Sequence, residues 1–227
     1  MIPWVHLGTA VVPGDGGELR LMQRGTEFSI MSGAIELMSS RLSGSEKALA
    51  TLPCERLKAR PRPHFLIGGF GMGFTLRAAL ENLGPSAQVT VGELVPEIID
   101  WARGPMAHMS GECLKDPRVT IALGDVGDLI RAGRESYDAI LLDVDNGPEG
   151  LSRAENDRLY SDSGLAAARR ALRPGGILAV WSSARDERFT KRLRKAGYDV
   201  EEVGVRATGG KRGARHVIWM ATAPAKG

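Results

Sequence analysis

Short apolar runs alternate with longer amphipathic segments from residue 64 onward. Runs of this length, bounded by turn residues, are typical of buried parallel strands, and the segments between them have helical spacing. Strands are predicted at 64–67, 89–91, 119–123, 137–142, 177–181, 200–205 and 216–221, and helices at 74–83, 96–108, 126–132, 159–172 and 186–196. This alternation predicts an α/β protein whose mostly parallel sheet has helices on both faces.

The last two predicted strands have no helix between them. Their connection, residues 206–215, is shorter than the dozen residues that a right-handed crossover needs. We therefore expect the last strand to be antiparallel, which gives a Rossmann-like sheet of seven strands in which only that strand is reversed.

The first 42 residues have a pattern typical of β-hairpins. Apolar runs at 4–12, 18–22, 28–30 and 35–38 are separated by turn signals such as Pro13-Gly14-Asp15-Gly16-Gly17. Because a sheet this small is not stable alone, we expect it to pack on the main domain or on a second subunit.

A helix is predicted after these hairpins. Ser43 and Glu46 have the spacing of a capping box, and the helix should continue to about Arg60 with a kink or break at Pro53. The predicted organisation is therefore an N-terminal β-hairpin region with its linking helix at 1–55, and a Rossmann-like domain at 56–227.

Composition limits the possible functions. The chain of 227 residues is 43% hydrophobic and has a net charge of +3, which is ordinary for a globular protein and does not imply nucleic-acid binding. Two cysteines and four scattered histidines have no metal-site spacing. No apolar run could span a bilayer and no leader pattern is evident, so a cytoplasmic location is expected. The basic residues of helix 186–196 are interpreted as a solvated face, so a nucleic-acid partner is not expected.

A glycine-rich turn between the first two parallel strands carries the main chemical signal. Gly69, Gly71 and Gly73 let the backbone approach a ligand closely, and the following helix offers free N–H groups. Glu93 ends the next strand, where a carboxylate can accept hydrogen bonds from two ribose hydroxyls. The segment therefore predicts a nucleoside-binding site.

Two further acids end the next strands. Asp125 and Val126 are expected to flank an adenine, although Asp125 is equally well placed to cap the following helix. Asp143 is the candidate for catalysis or for holding an ammonium group. Three acids around one crevice, with no basic group for a pyrophosphate, favour S-adenosylmethionine over NAD. Weaker substrate-binding candidates are Asp145 and Asn146, which also fit a turn, and Tyr160, which also fits the core.

Five segments resemble the spermidine synthase superfamily within the class I methyltransferase fold: 66–73, 91–99, 116–125, 137–148 and 159–178. The resemblance implies an adenosyl sulfonium cofactor, a small-molecule acceptor and a homodimer formed partly through the N-terminal sheet.

Three positions depart from this family. Gly71 stands where the family has an Asp that binds the amine of decarboxylated S-adenosylmethionine, and Ser45-Glu46-Lys47 stands where it has Tyr-His-Glu. Asn146 replaces a later Asp. Loss of the negative charge at Gly71 makes the intact donor's carboxylate acceptable, so we expect methyl transfer from S-adenosylmethionine to an unidentified small molecule. The alternatives are an aminopropyltransferase with an altered acceptor site and a non-catalytic cofactor-binding protein.

Overall fold

A computed structural model describes residues 2–14, 17–144, 157–208 and 213–225. The strands are β1 Val5–Val11, β2 Glu18–Arg24, β3 Glu27–Ser32, β4 Ile35–Ser39, β5 His64–Gly68, β6 Gln88–Glu93, β7 Val119–Leu123, β8 Tyr137–Leu142, β9 Leu172–Ser182, β10 Asp199–Arg206 and β11 Arg215–Thr222. The helices are α1 Gly44–Arg56, α2 Phe74–Asn82, α3 Pro96–Arg103, α4 Val126–Ala132, α5 Asp157–Tyr160, α6 Asp162–Ala171 and α7 Glu187–Lys195. A π-helical turn, Ala107–Gly111, and a 3₁₀ turn, Glu112–Lys115, lie between α3 and β7.

The main sheet has seven strands in the order β10-β11-β9-β8-β5-β6-β7. β11 pairs antiparallel with both β9 and β10, whereas the pairs from β9 to β7 are parallel. The predicted Rossmann-like fold with an antiparallel last strand is confirmed. Every residue of β8 is buried because this strand lies at the centre of the sheet with helices on both faces.

Two apolar cores lie on opposite faces of the main sheet. One contains buried residues of α1, α2 and α3, such as Leu49, Leu76 and Ile98. The other contains residues of α4, α6 and α7, such as Leu165 and Phe189. The arrangement is a three-layer α/β/α domain.

The N-terminal strands form a separate antiparallel sheet in the order β1-β2-β3-β4. Its inward residues, among them Leu21, Phe28 and Ile30, join the same core as α1, α2 and α3. At Gly8 in β1 the backbone lies so close to α3 that a Cβ atom would be 2.9 Å from Nε1 of Trp101. The small sheet therefore packs on the main domain, which is one of the two placements expected from the sequence.

Several details of the predicted elements are wrong. The helix expected at 96–108 ends at Arg103, before the π-helical turn. The helix expected at 159–172 is divided at Ser161, whose hydroxyl accepts a hydrogen bond from the Gly164 amide at 3.1 Å and so begins α6. Strand β9 begins at Leu172 rather than at residue 177. Helix α1 is not broken at Pro53 and ends at Arg56 rather than at about Arg60, and Ser43 makes no side-chain capping hydrogen bond.

Candidate active site

A crevice of about 230 Å³ lies at the carboxyl ends of the central parallel strands. One wall comes from the loops that follow β5, β6, β7 and β8, and the opposite wall comes from the N-terminal sheet. The lining residues are Val12, Leu19, Ile30, Ser32, Leu37, Met38, Glu46, Gly69, Gly71, Gly92, Glu93, Leu94, Val95, Ile98, Gly124, Asp125, Val126, Asp143, Val144 and Trp181. Open α/β sheets bind ligands at this end of their strands.

The glycine loop after β5 follows a path that side chains would obstruct. Gly69, Gly71 and Gly73 have φ angles of 86°, 54° and 75°, which is the left-handed region that favours glycine. A Cβ atom on Gly69 would lie 3.1 Å from the carbonyl oxygen of Asp143. Gly69 and Gly71 line the crevice, and Gly73 caps α2 behind them. The loop therefore offers its backbone, rather than side chains, to a ligand.

Glu93 is held rigidly at the end of β6. Its Oε2 accepts a hydrogen bond from the Phe70 amide and its Oε1 accepts one from the Val95 amide, both at 2.8 Å. Burial raises the pKa of Glu93, and these backbone donors act in the opposite direction. Because each carboxylate oxygen has two lone pairs, the fixed carboxylate can still accept from a diol.

Asp125 caps helix α4. One of its carboxylate oxygens accepts a hydrogen bond from the Gly127 amide at 2.7 Å. Val126, the first residue of the helix, is buried against Gly68 and Gly92 and lines the floor of the crevice. Asp125 therefore caps the helix as expected. Asp125 and Val126 also line the crevice, where an adenine ring could bind.

Asp143 follows β8, the central strand of the main sheet, and lines the crevice. Its Oδ2 accepts a hydrogen bond from Oγ1 of Thr75 at 3.0 Å. Loss of hydration, and to a smaller extent the charge of Glu46, raise the pKa of Asp143 to about 7, and the Thr75 hydrogen bond acts in the opposite direction. Burial also raises the pKa of Glu46. The crevice thus holds two carboxyl groups that repel each other when both are ionised.

Glu46 is the main site residue that the sequence analysis missed. Its carboxylate does not complete a capping box; instead Oε2 accepts a hydrogen bond from the Ser45 hydroxyl at 2.9 Å, and the side chain lines the crevice. The spacing from Ser43 suggested a purely local role. The sequence signal for a role in the site was that Ser45-Glu46-Lys47 aligns with a substrate-binding segment of the resembled family.

The wall formed by the N-terminal sheet was also missed. Met38 of β4 lies over the glycine loop, so closely that a Cβ atom on Gly71 would be 2.5 Å from its sulfur. Trp181 at the end of β9 also lines the crevice, and its buried Nε1 has no hydrogen-bond partner within the described ranges. Apolar residues of this kind cannot be distinguished from core residues in a sequence.

The weaker candidates are less central. Tyr160 is buried with its ring edge-on to Phe189, and its hydroxyl donates to the carbonyl oxygen of Val144 at 3.3 Å. Tyr160 therefore lies behind a lining residue rather than among the lining residues. Asp145 and Asn146 lie outside the described residues.

No metal-binding group of His, Cys, Asp and Glu side chains occurs in the described ranges. In the same ranges, none of the helices has the length and apolar character needed to cross a membrane.

Residues 45–190 match the spermine/spermidine synthase domain. A polyamine aminopropyltransferase from Korarchaeum cryptofilum is 30% identical over 54% of this chain and 36% of its own length. Putrescine N-methyltransferase 2 from Nicotiana attenuata is 33% identical over 53% of this chain and 30% of its own length. The match thus spans only about a third of these curated relatives.

Solved structures agree on the fold. A spermidine synthase from Thermotoga maritima superimposes with a TM-score of 0.73 at 17% identity, covering 97% of this chain and 73% of that chain. The comparisons do not support the expected preference for methyl transfer, because polyamine aminopropyltransferases from several organisms are among the similar proteins. The relatives instead favour the alternative that the sequence left open.

Proposed function

The chain belongs to the spermine/spermidine synthase family, and from that premise we propose that it transfers an alkyl group from an adenosyl sulfonium donor to an amine. The observation that carries the proposal is the acid-lined crevice that contains Glu46, Glu93 and Asp143 beside the backbone of the glycine loop. Carboxylates suit a ligand that carries a sulfonium, an ammonium and a ribose. The donor and the acceptor amine are both cations, and this crevice is able to attract both.

Each part of the crevice has a role in this proposal. The backbone of Gly69 and Gly71 faces the donor's amino-acid chain, Glu93 accepts hydrogen bonds from the ribose, and Asp125 with Val126 borders the adenine. Asp143 lies nearest the centre, where the amine and the sulfonium meet. Thr75 holds Asp143 in place through the hydrogen bond at 3.0 Å.

The reaction is a displacement at carbon. The lone pair of a neutral amine attacks the carbon bound to sulfur, the C–S bond breaks, and a thioether nucleoside leaves. An amine must therefore lose a proton before attack, and a carboxylate in the crevice can accept it. Much of the rate enhancement comes from aligning amine, carbon and sulfur.

Aminopropyl transfer from the decarboxylated donor is our first candidate, because proteins named polyamine aminopropyltransferase are among the relatives. Methyl transfer is the second candidate. It is favoured by Gly71, which leaves the glycine loop without a carboxylate for the decarboxylated donor's amine, and by the relative named putrescine N-methyltransferase 2.

Titration calorimetry with S-adenosylmethionine and with its decarboxylated form tests the proposal. We expect the wild-type protein to bind the decarboxylated form more tightly and to convert putrescine, a simple diamine, into its aminopropyl product, detected by mass spectrometry. Tighter binding of the intact donor with methylated amine products would instead establish the second candidate. Glu93→Gln is expected to weaken the binding of either donor. If neither donor binds, the proposal is wrong, and binding without turnover of any amine would indicate a non-catalytic protein.

We also propose a homodimer formed through the N-terminal sheet. Val5 and Val11 of β1 and Ile35 of β4 are at least half exposed there. Apolar side chains gathered on one small sheet are typical of an interaction surface. Sedimentation of the intact chain tests this, with a monomer at micromolar concentration as the contradicting result. A cytoplasmic location stays a prediction from the sequence.

A further inference from the structure

Three side chains form a continuous hydrogen-bonded chain that starts in the crevice. The Ser45 hydroxyl donates to Oε2 of Glu46 at 2.9 Å, and Nδ1 of His216 lies 2.9 Å from the same hydroxyl oxygen. Ser45 is completely buried, so its hydroxyl has no contact with solvent. Glu46 lines the crevice, and His216 at the other end is half-buried.

Distant elements of the fold bring these residues together. Ser45 and Glu46 lie in the first turn of α1, and His216 lies near the start of β11. The Gly44 amide anchors that turn by donating to the carbonyl oxygen of Ala207 at 2.8 Å, just after β10. The ring of Trp181 contacts the imidazole of His216 edge-on, with centroids 4.8 Å apart. The hydrogen-bonded chain of side chains is therefore held in place at both ends by the main domain.

A hydroxyl group between a carboxyl and an imidazole has two consistent arrangements of protons. When Glu46 is ionised, Ser45 donates to it, and Nδ1–H of His216 donates to Ser45. When Glu46 carries a proton, it can donate to Ser45, whose own proton then points to an unprotonated Nδ1. Passing from the arrangement with protonated Glu46 to the arrangement with ionised Glu46 moves one proton from the crevice to the imidazole ring.

We propose that Glu46 is a catalytic base for the acceptor amine and that Ser45 and His216 are positioning residues that carry the proton away. This inference rests on the proposed transfer to an amine. The acceptor ammonium gives one proton to Glu46, and the resulting neutral amine attacks the donor carbon as the C–S bond breaks. When the neutral ring of His216 carries its own proton on Nε2, the proton on Glu46 passes to Ser45, the Ser45 proton passes to Nδ1, and the Nε2 proton leaves to water. The ring is then protonated on Nδ1, and its return to the Nε2–H tautomer prepares the path for the next turnover.

The proposal gives different roles to two of the acids that line the crevice, Asp143 and Glu46. Asp143 is held by Thr75, and within the part of the chain that the structure describes no hydrogen-bonded path leads from it to an imidazole. Glu46 has such a chain. Asp143 therefore holds a positive charge in place, while Glu46 takes up and releases a proton in each turnover.

Nitrogen NMR of histidine-labelled protein tests the chain without any turnover. We expect His216 to carry its proton on Nδ1 when Glu46 is ionised, and to change tautomer as Glu46 is protonated. The signal is assigned with His216→Gln. In Glu46→Gln the tautomer should stay constant above the titration of the ring itself. A wild-type ring whose tautomer does not respond to Glu46 overturns the proposed proton path.

Kinetics test the catalytic roles. Glu46→Gln should lower kcat about 10²-fold, as expected for loss of a general base, and remove the acidic limb of the pH–rate profile. Ser45→Ala, which keeps the carboxyl group, should leave donor affinity unchanged while lowering kcat and displacing the acidic limb. Glu55→Gln, on the exposed face of the same helix, is the matched control and should behave as wild type.

The two proposals fail in different ways. If the wild-type protein turns over amines and Ser45→Ala keeps both the wild-type kcat and the wild-type pH profile, the role of the chain is wrong and the proposed function stands. If the wild-type protein binds no sulfonium donor, the proposed function is wrong, and with it the catalytic role of Glu46. The tautomer measurement then still decides whether the proton path exists.

Discussion

Asp143 has a pKa near neutrality, so its charge changes with pH under ordinary conditions. Burial is the main cause and Glu46 adds to it. An acid whose pKa is raised on folding binds its proton more tightly in the folded state than in the unfolded state. The folded protein therefore gains stability as pH falls from about 7 towards 3.8, the ordinary value for this group.

Asp143→Asn tests this dependence. The variant should be more stable than the wild-type protein at pH 8 by at least about 1 kcal/mol, because one pKa unit corresponds to about 1.4 kcal/mol. It should also lose part of the increase in stability between pH 8 and pH 6, measured by urea unfolding. Asp199→Asn, at an exposed position of β10, should leave the pH dependence unchanged. Equal slopes for wild type and Asp143→Asn would contradict the assignment.

Gly71 and Met38 together determine whether a carboxylate can occupy the glycine loop. Gly71→Asp alone would collide with the Met38 sulfur, so we expect it to lower stability and bind either donor poorly. Gly71→Asp combined with Met38→Ala removes the collision. It should shift preference towards the decarboxylated donor by about tenfold, which corresponds to about 1.4 kcal/mol for one added charge contact. Calorimetry measures the ratio, with Met38→Ala as control, and an unchanged ratio would show that position 71 does not face the donor's amino-acid chain.

At the scale of elements, the sequence predicted the strands well because their apolar runs are short and bounded by turn residues. Every predicted strand occurs, including the reversed β11. Helix limits were less predictable because single side chains decide them. Ser161 begins a new helix through its hydroxyl and has the extended backbone usual for a cap, with ψ at 164°. Ser43 has equally suitable chemistry but makes no side-chain cap, and its ψ of 5° lies outside the extended region.

Helix α4 allows the two roles of Asp125 to be separated. Asp125→Ala should lose the cap to Gly127 and about 1 kcal/mol of stability. Asp125→Asn keeps an oxygen for that cap but replaces the other acceptor oxygen with an amino group, so stability should be retained while adenine binding weakens. Urea unfolding and calorimetry with a thioether nucleoside measure the two effects. Full binding by Asp125→Asn would limit this residue to capping.

At the scale of the whole molecule, the N-terminal sheet and the main domain share one apolar core and one crevice. The sequence predicted the small sheet but not its place over the site. Leu19, Ile30 and Met38 have the apolar character of ordinary inward-facing strand residues, and only the packing of the two sheets makes them walls of a cavity. A shared core also implies that the two parts unfold together.

Gly8→Val tests that coupling. The added side chain would displace Trp101 of α3, so we expect a loss of about 1–3 kcal/mol, as for overpacking elsewhere, and weaker donor binding. Unfolding should remain a single transition by both fluorescence and circular dichroism. Gly204→Val, at an open position of β10, is the control and should have little effect on stability. Two separate transitions in the wild-type protein would show that the sheets fold independently.

The position of β11 between β9 and β10 also has a consequence for the newly made chain. β10 is an edge strand that pairs with β11, which is synthesised after it. Until residues 215–222 have been synthesised, β10 therefore lacks its partner strand. The core on that face of the sheet also lacks Trp219 until then. His216 is synthesised with the same strand, so the glycine loop and the acids of the crevice are synthesised well before the histidine of the proposed proton path. The residues of the proposed donor site are therefore synthesised before the histidine that completes the proposed proton path.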